Sequence, residues 1–320
     1  MFYLDRRRFL KKIFFTGSAF TLNFLFYESF LEDFSSSFLC EDFYLMGTSG
    51  KIQIFCDDLV YGKFVIDKSI NKIKDLENIL TKFSPLSDVG RLNNNPLQFN
   101  KVSLDTLNLL KVGNFISKGT FGYFDMGLGN LLHRFGIDRF VPIVGNITQS
   151  KDMNDDLFIF DNNYLKLNRK NSMVDLGGIG KGFALDECFE ILSQSGIKHA
   201  AIEFGGDVRV MGGMPNNLPW KISFDKRLYK FLDGNELFFD LFDGSVAVSA
   251  GYLKKSFNNN FHHIINPYSL SSKEDYLFLV VFGEKCSFCD ALSTAFFNMD
   301  LNVIEKSVLN FPSYSFKAYI

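Results

Sequence analysis

Residues 172–186 read SMVDLGGIGKGFALD, and this stretch constrains the fold more than any other. Met173 and Val174 end an apolar run, and Asp175 follows. Gly177, Gly178, Gly180 and Gly182 then surround Lys181. Beyond them Phe183, Ala184, Cys188, Ile191 and Leu192 recur at the spacing of one helical face. The order predicts a strand end, a glycine-rich turn and a helix N-terminus. Glycines let a backbone come close to a ligand, and first-turn N–H groups have no intrahelical partner. Such a turn can seat phosphate oxygens. A Walker A loop would need glycine at Asp175 and Ser or Thr at Gly182, and the dinucleotide pattern G-x-G-x-x-G does not fit these glycines. A tight strand-to-helix connection without a ligand is the plainer alternative.

The 320 residues suffice for one large domain or two lobes, and a hydrophobic fraction of 47% describes a globular protein. Net charge is −2, and no basic stripe interleaves with aromatics, so nucleic-acid binding has no electrostatic support. The N-terminus carries Arg6, Arg7, Arg8, Lys11 and Lys12, then an apolar run from Ile13 to Phe26. Cations before a short apolar stretch describe an export signal, and the run is short for a spanning helix of about 20 residues. Arg-Arg-x-Phe-Leu-Lys resembles the twin-arginine signal, with Asp5 where Ser or Thr is usual. Residues 1–30 are therefore expected to be an export signal or membrane anchor, 31–43 a linker and 44–320 the folded body. The alternative for the first segment is a basic, apolar helix of a cytoplasmic protein.

Within the body, Leu45–Phe55 alternates as a strand. Ile66, Ile70, Ile73, Leu76 and Leu80 predict a helix that Ser84-Pro85 ends. Ser103 can cap a second helix. Leu157–Phe160 and Tyr164–Leu167 suggest a hairpin, and Gly196 suits a helix stop. Ala200–Phe204 and Val208–Met211 flank Gly205-Gly206-Asp207 as a second hairpin. Trp220–Phe224, Leu237–Phe242, Val246–Ser249 and Leu277–Phe282 read as strands, and Ser287 opens a last helix through Met299. Strands and helices do not alternate regularly. The expected class is α+β, mostly antiparallel sheets with flanking helices.

Three groups carry chemistry. Asp290 and Thr294 are four apart on one helix, so they share a face and offer the hard oxygens that Mg²⁺ accepts. Ser287-x-x-Asp290 also matches a capping box, and spacing alone favours that reading. His262 and His263 adjoin, so on a strand they point to opposite sides and do not chelate together. One could be a base. The five cysteines make no disulfide framework; Cys286-Ser-Phe-Cys289 is a lone CxxC, open to a disulfide or to two buried thiols.

Taken in order, the motifs resemble a known family. They are Met46-Gly47-Thr48, Phe83-Ser-Pro-Leu-Ser-Asp88-Val-Gly-Arg91-Leu-Asn93, Gly122-Tyr-Phe-Asp125-Met-Gly-Leu-Gly129, the Val174–Gly182 stretch, Glu203-Phe-Gly-Gly-Asp207, Val248-Ser249-Ala-Gly-Tyr252, His263-Ile-Ile-Asn-Pro267 and Asp290-Ala-Leu-Ser-Thr294-Ala. This series resembles the FAD:protein FMN transferases, the ApbE-type flavin transferases. The resemblance implies binding of FAD and Mg²⁺ in a cleft, placed between two lobes. It also implies transfer of FMN through a phosphoester to a threonine of an exported acceptor protein, with release of AMP. FAD pyrophosphatase activity and non-catalytic FAD binding are the alternatives. By the same resemblance Asp290, Thr294 and the Gly180 carbonyl hold Mg²⁺. Met46, Phe83, Asp125, Met126, Gly127, Asp175, Gly178, Lys181, His263 and Ile264 contact FAD, and His263 and Asp290 are catalytic. The resemblance thus favours Asp290 as a ligand over Asp290 as a cap. This sequence has Phe83 where the family usually has Tyr, Gly127 for Thr, Val248 and Ala250 for Thr and Gly, Asn266 for Asp and Glu203 for Asn. The implied location is outside the cytoplasm, periplasmic or on the outer face of a bacterial inner membrane, with membrane association through the N-terminus.

Overall fold

The computed structural model describes residues 20–22, 37–135, 137, 156–169, 171–224, 238–251 and 262–320. Its centre is a seven-stranded sheet in the order β15-β14-β11-β8-β7-β3-β2, every pair antiparallel. The strands are β2 Phe38–Leu45, β3 Thr48–Phe55, β7 His199–Phe204, β8 Asp207–Met211, β11 Gly244–Ser249, β14 Phe278–Gly283 and β15 Ser315–Tyr319. Alternate residues serve two cores. On β14, Leu279 and Val281 enter the larger core while Phe278 and Val280 enter the smaller. Burial on both faces explains why Leu277–Phe282 reads as an unbroken apolar run.

The larger core lies under helices α1 (Leu59–Leu80), α5 (Gly180–Gln194) and α6 (Cys286–Phe297). On α1, Val65, Ile66, Ser69, Ile73, Leu76 and Leu80 form the buried stripe, and Asp58 caps its start by accepting from the Val60 and Tyr61 amides. The smaller core lies on the other face. There Trp220 and Ile222 of β9 (Trp220–Phe224) pack on Ala201, Val208 and Val246. β9 pairs with β10 (Phe238–Leu241) and with β1 (Phe20–Leu22). Beside the larger core lie α2 (Asp88–Asn94), α3 (Leu104–Gly119), α4 (Gly129–Arg134) and a small sheet β4-β6-β5 (Asn100–Lys101, Tyr164–Leu167, Phe158–Asp161). Two-residue strands β12 (Ile265–Asn266) and β13 (Ser271–Ser272) pair before β14, and α7 (Leu301–Val308) precedes β15.

The α+β class with antiparallel sheets is therefore what this chain adopts. Ser103 caps α3 by accepting the Thr106 N–H at 3.2 Å. Gly196 has φ +78° one residue past the C-cap of α5. Two readings change. Residues 38–43 were expected to be linker, but they belong to β2, whose register runs from Phe38↔Phe55 to Leu45↔Thr48. The helix from Cys286 is not the last element, because α7 and β15 follow. Phe20–Leu22 lies inside the segment read as a signal and pairs with Phe224–Ile222. Arg6, Arg7, Arg8, Lys11, Lys12, Tyr252 and most of the Ile13–Phe26 run lie outside the described residues. Among the described residues no helix is long and apolar enough to cross a membrane.

Candidate functional site

The glycine bend is clamped at its entry by polar side chains from distant parts of the chain. Asn93 of α2 donates Nδ2–H to the Val174 carbonyl at 3.0 Å and accepts the Val174 N–H at 2.7 Å. The next amide, of Asp175, donates to the Met126 carbonyl at 2.8 Å. The Asp175 carboxylate turns into the bend, where it accepts the Gly177 N–H at 2.8 Å and pairs with the Lys82 ammonium. Lys82 also lies 5.4 Å from the centre of the Phe83 ring, which is 56% exposed. Asp125 receives both arms of the Arg169 guanidinium at 2.7 and 2.8 Å and caps the Gly127 amide at 2.7 Å. A planar fork on a planar carboxylate fixes orientation as well as charge.

At the exit the bend meets α6. Asp290 Oδ2 accepts the Gly182 N–H at 3.2 Å and an N–H of Lys181 at 3.1 Å. Lys181 Nζ is also 3.0 Å from Asp207 Oδ2, so one ammonium sits between two buried carboxylates. Glycine permits the approach. A β-carbon on Gly178 would stand 2.9 Å from Thr294 Oγ1, and one on Gly182 would stand 2.4 Å from the Cys286 carbonyl oxygen. Burial alone would push the Lys181 ammonium down, but Asp207 and then Asp290 outweigh it and hold it well above the usual lysine range. Burial, then the charge of Asp290, push the Asp207 carboxyl up against the opposing pull of Lys181.

Two readings of the sequence are corrected here. Asp290 does not cap its own helix. The N-cap position of α6 is Lys285, without a side-chain cap, and the cap comes from Asp186 on α5. Asp186 accepts the Cys286 N–H at 2.8 Å, the Ser287 N–H at 3.0 Å and the Ser287 hydroxyl at 2.6 Å, and it pairs with Arg209. Nor are the first amides of α5 all open to a ligand. Gly180 N–H donates to the Leu176 carbonyl at 2.8 Å, and Gly182 N–H is engaged by Asp290.

His262 and His263 divide as adjacent residues should. The buried His262 makes a 2.8 Å hydrogen bond through Nε2 with the Lys273 carbonyl and sets its ring edge-on to Phe297 at 5.5 Å. His263 is half-buried. The strand after it is stitched to the far end of α6. Asn266 donates to the Asn298 carbonyl at 3.0 Å, and Asn298 donates to the carbonyls of Ile265 at 3.2 Å and Thr294 at 3.3 Å. Asn266 also accepts from the Tyr268 and Ser269 amides, so its side chain is committed to the turn. Ile264 and the Met126 side chain are core residues, 3% exposed each. Met46 occupies the β2–β3 turn with φ +49° and donates its amide to Glu77 Oε1 at 2.6 Å. Cys286 and Cys289 are free, fully buried thiols.

The bend therefore gathers Asp175, Gly178, Lys181, Asp290 and Thr294, with Asp125 and Gly127 reached through the Met126 backbone. Lys82, Arg169, Asp186 and the role of Asp207 are additions. Asp207 beside Gly205-Gly206 was visible as a motif, but a charged partner on another element leaves no local signal. Among the described residues no three His, Cys, Asp or Glu side chains group as a metal cage. The oxygen set is of another kind. Asp290 and Thr294 face the bend, and the nearby Asp207 Oδ2 is buried without a well-aligned hydrogen bond. Carboxylate, hydroxyl and backbone oxygens completed by water suit Mg²⁺.

The ApbE family model matches residues 46–313. A Chlamydia pneumoniae protein named FAD:protein FMN transferase is 25% identical over 255 residues, covering 75% of this chain and 77% of its own. A Vibrio cholerae protein of the same name is 24% identical over 240 residues, covering 72% and 70%. The crystal structure of the ApbE protein from Thermotoga maritima superposes with a TM-score of 0.73 at 24% identity, covering 88% of this chain and 94% of that one. Flavinyl transferase ApbE from Pseudomonas stutzeri gives 0.72 at 17% identity, covering 88% and 94%. The match spans everything from the β2–β3 turn to the residues before β15, both halves of the bend-and-helix junction included, and the chain belongs to the ApbE family.

Proposed function

We propose that this protein is a Mg²⁺-dependent FAD:protein FMN transferase that attaches FMN to a threonine of an acceptor protein. The observation that carries the reading is the junction of the glycine bend with Asp290 and Thr294. It supports a site where a dinucleotide's diphosphate meets a divalent ion. In the proposed reaction the acceptor hydroxyl oxygen bonds to the FMN phosphorus of FAD, the bond from that phosphorus to the bridging diphosphate oxygen breaks, and AMP leaves. Phosphoryl transfer asks the protein mainly for positioning and charge neutralisation. Bound through Asp290, Thr294 and the Gly180 carbonyl, Mg²⁺ would supply neutralisation of the diphosphate. Lys181 would add a fixed positive charge, and the Asp125–Arg169 and Lys82–Asp175 pairs would hold the FAD-facing loops in place. The exposed Phe83 ring offers a stacking face without a hydroxyl. His263 would accept the hydroxyl proton, because Asn266 has no acidic group and its amide is tied into the turn.

Incubation with FAD, Mg²⁺ and an exported candidate acceptor tests the reading. Acid-stable flavin on the acceptor with equimolar AMP is expected. Free FMN with AMP would assign the pyrophosphatase reaction instead, and no AMP under any divalent metal would leave only FAD binding. The same proposal places the protein outside the cytoplasm, with residues 1–30 as signal or anchor. Protease accessibility in spheroplasts checks that placement.

A further inference from the structure

Lys181 is one residue past Gly180 and stands between two carboxylates of different elements: Asp290 on α6, at 3.1 Å, and Asp207 at the start of β8, at 3.0 Å. Both carboxylates are buried, Asp207 2% and Asp290 5% exposed. An ammonium so placed does three things. It makes two neighbouring buried negative charges tolerable. It occupies Asp290 Oδ2, which the Gly182 amide also uses, so that carboxylate keeps Oδ1 for any further ligand. It puts a positive charge within one carboxylate's width of the place where a divalent ion held by Asp290 would sit.

We propose that Lys181 is a resident counter-cation that weakens and so sets the affinity of the site for a divalent ion, with Asp207 drawing it away from Asp290. The inference rests on the Mg²⁺ reading given above and concerns what governs metal loading. An ammonium and a divalent ion repel one another and share one carboxylate. Removal of the ammonium leaves the two buried carboxyls without their counter-charge, so that one of them takes up a proton unless a divalent ion compensates both. Removal of the Asp207 charge leaves Asp290 alone to balance Lys181, and the ion loses its share. The two substitutions therefore move metal affinity in opposite directions, a pattern that loss of local structure does not produce.

The test uses the full chain and Mn²⁺ as a spectroscopic probe. Free Mn²⁺ is titrated by electron paramagnetic resonance, with and without saturating FAD, and melting temperature is followed in chelator and in Mn²⁺. Lys181→Met is expected to bind Mn²⁺ about tenfold tighter than the unaltered protein. Its stability should be lower in chelator and recover with Mn²⁺. Lys181→Arg keeps the charge and is expected to restore near-native affinity. Asp207→Asn, close in shape to the native side chain, is expected to bind about tenfold more weakly, and it serves if Lys181→Met does not fold. Unchanged or weaker binding by Lys181→Met, or unchanged binding by Asp207→Asn, overturns the proposal while leaving the metal site standing. No Mn²⁺ bound by any of the proteins, with FAD or without it, removes the metal reading and this inference with it.

Discussion

At the scale of single residues, Asp290 separates two demands that one side chain meets. Its Oδ2 accepts the Gly182 amide and Lys181, which holds α5 on α6. Its charge is the part on which metal-dependent chemistry would draw. Asp290→Asn keeps an acceptor and removes the charge. It is predicted to lower Mg²⁺-dependent AMP release by at least about 100-fold, or about 3 kcal/mol of transition-state stabilisation. Turnover within a few-fold of the unaltered protein would show the charge to be structural only. Gly178 makes a complementary case. Its absent β-carbon leaves the space that Thr294 Oγ1 fills, 2.9 Å from where that carbon would be. Gly178→Ala must push the half-buried Thr294 aside, at about 1–3 kcal/mol of stability. The predicted mark is a raised Mg²⁺ concentration for half-maximal turnover, measured by titration on folded protein; an unaltered Mg²⁺ requirement would place Thr294 outside the site. These residue types at these spacings were readable from the chain alone. Their partners were not, because Lys82 and Asp175 lie 93 positions apart, and Asp186 and Ser287 lie 101 apart. Nothing local in Asp186 tells a helix cap for a distant segment from an exposed acid.

At the scale of elements, start and stop signals with local causes were legible. These include the Ser103 cap, the Gly196 stop and the hairpin at Gly205-Gly206. Elements positioned by long-range packing were not, such as the seven-residue α2 and the strand β15. The cap of α6 shows why this matters for the site. Asp186 supplies both carboxylate oxygens to the first amides of α6 and also neutralises Arg209, which packs its guanidinium 3.7 Å over the Phe189 ring. Asp186→Ala would free two helix amides and leave a buried guanidinium unpaired. The predicted loss is about 3–5 kcal/mol, read as a shift of the urea midpoint. A loss under about 1 kcal/mol would mean that water replaces the carboxylate at no great cost. Asp88 joins α2 to α3 in a similar way, accepting the Ser103 amide at 2.8 Å and the Thr106 hydroxyl at 2.7 Å, with Arg91 beside it. Burial pushes its carboxyl up, but the bonds from Ser103, Thr106 and Arg91 outweigh burial and hold it below the ordinary value of 3.8. A carboxyl depressed by folding stabilises the protein above its unfolded value, and that stabilisation is lost as pH falls through the folded one. Unfolding curves below about pH 4 should therefore fall less steeply in Asp88→Asn than in the unaltered protein. Equal acid slopes would assign acid sensitivity to other groups.

At the scale of the whole molecule, the helix that carries Asp290 and Thr294 packs against a C-terminal segment that lies beyond the family match. The match ends at residue 313, and β15 spans Ser315–Tyr319. That strand pairs with the whole working length of β14, from Phe278↔Tyr319 to Phe282↔Ser315, and forms one edge of the central sheet. Aromatic rings carry its influence to α6. Phe316 meets Phe296 edge-on at 5.8 Å, and Tyr314, just before the strand, stacks on Phe288 at 5.2 Å. Phe288 and Phe296 flank Asp290 and Thr294 in sequence, so the C-terminal segment braces the helix that carries both site residues. Its deletion would expose β14, an apolar strand buried on both faces, as a bare edge. It would also remove aromatic pairs worth about 0.5–1.5 kcal/mol each beyond their buried area. Truncation after Ser313 is predicted to lower the melting temperature and to promote association through β14. The soluble fraction should lose FAD-dependent stabilisation along with AMP release, because α6 loses its support before the bend loses its glycines. The measurements are thermal unfolding with and without FAD and Mg²⁺, and size-exclusion chromatography. A monomeric truncated chain that FAD and Mg²⁺ still stabilise as they stabilise the full one would show that the sheet, α5 and α3 hold α6 without the C-terminal segment. The bracing assigned to Tyr314 and Phe316 would then be wrong.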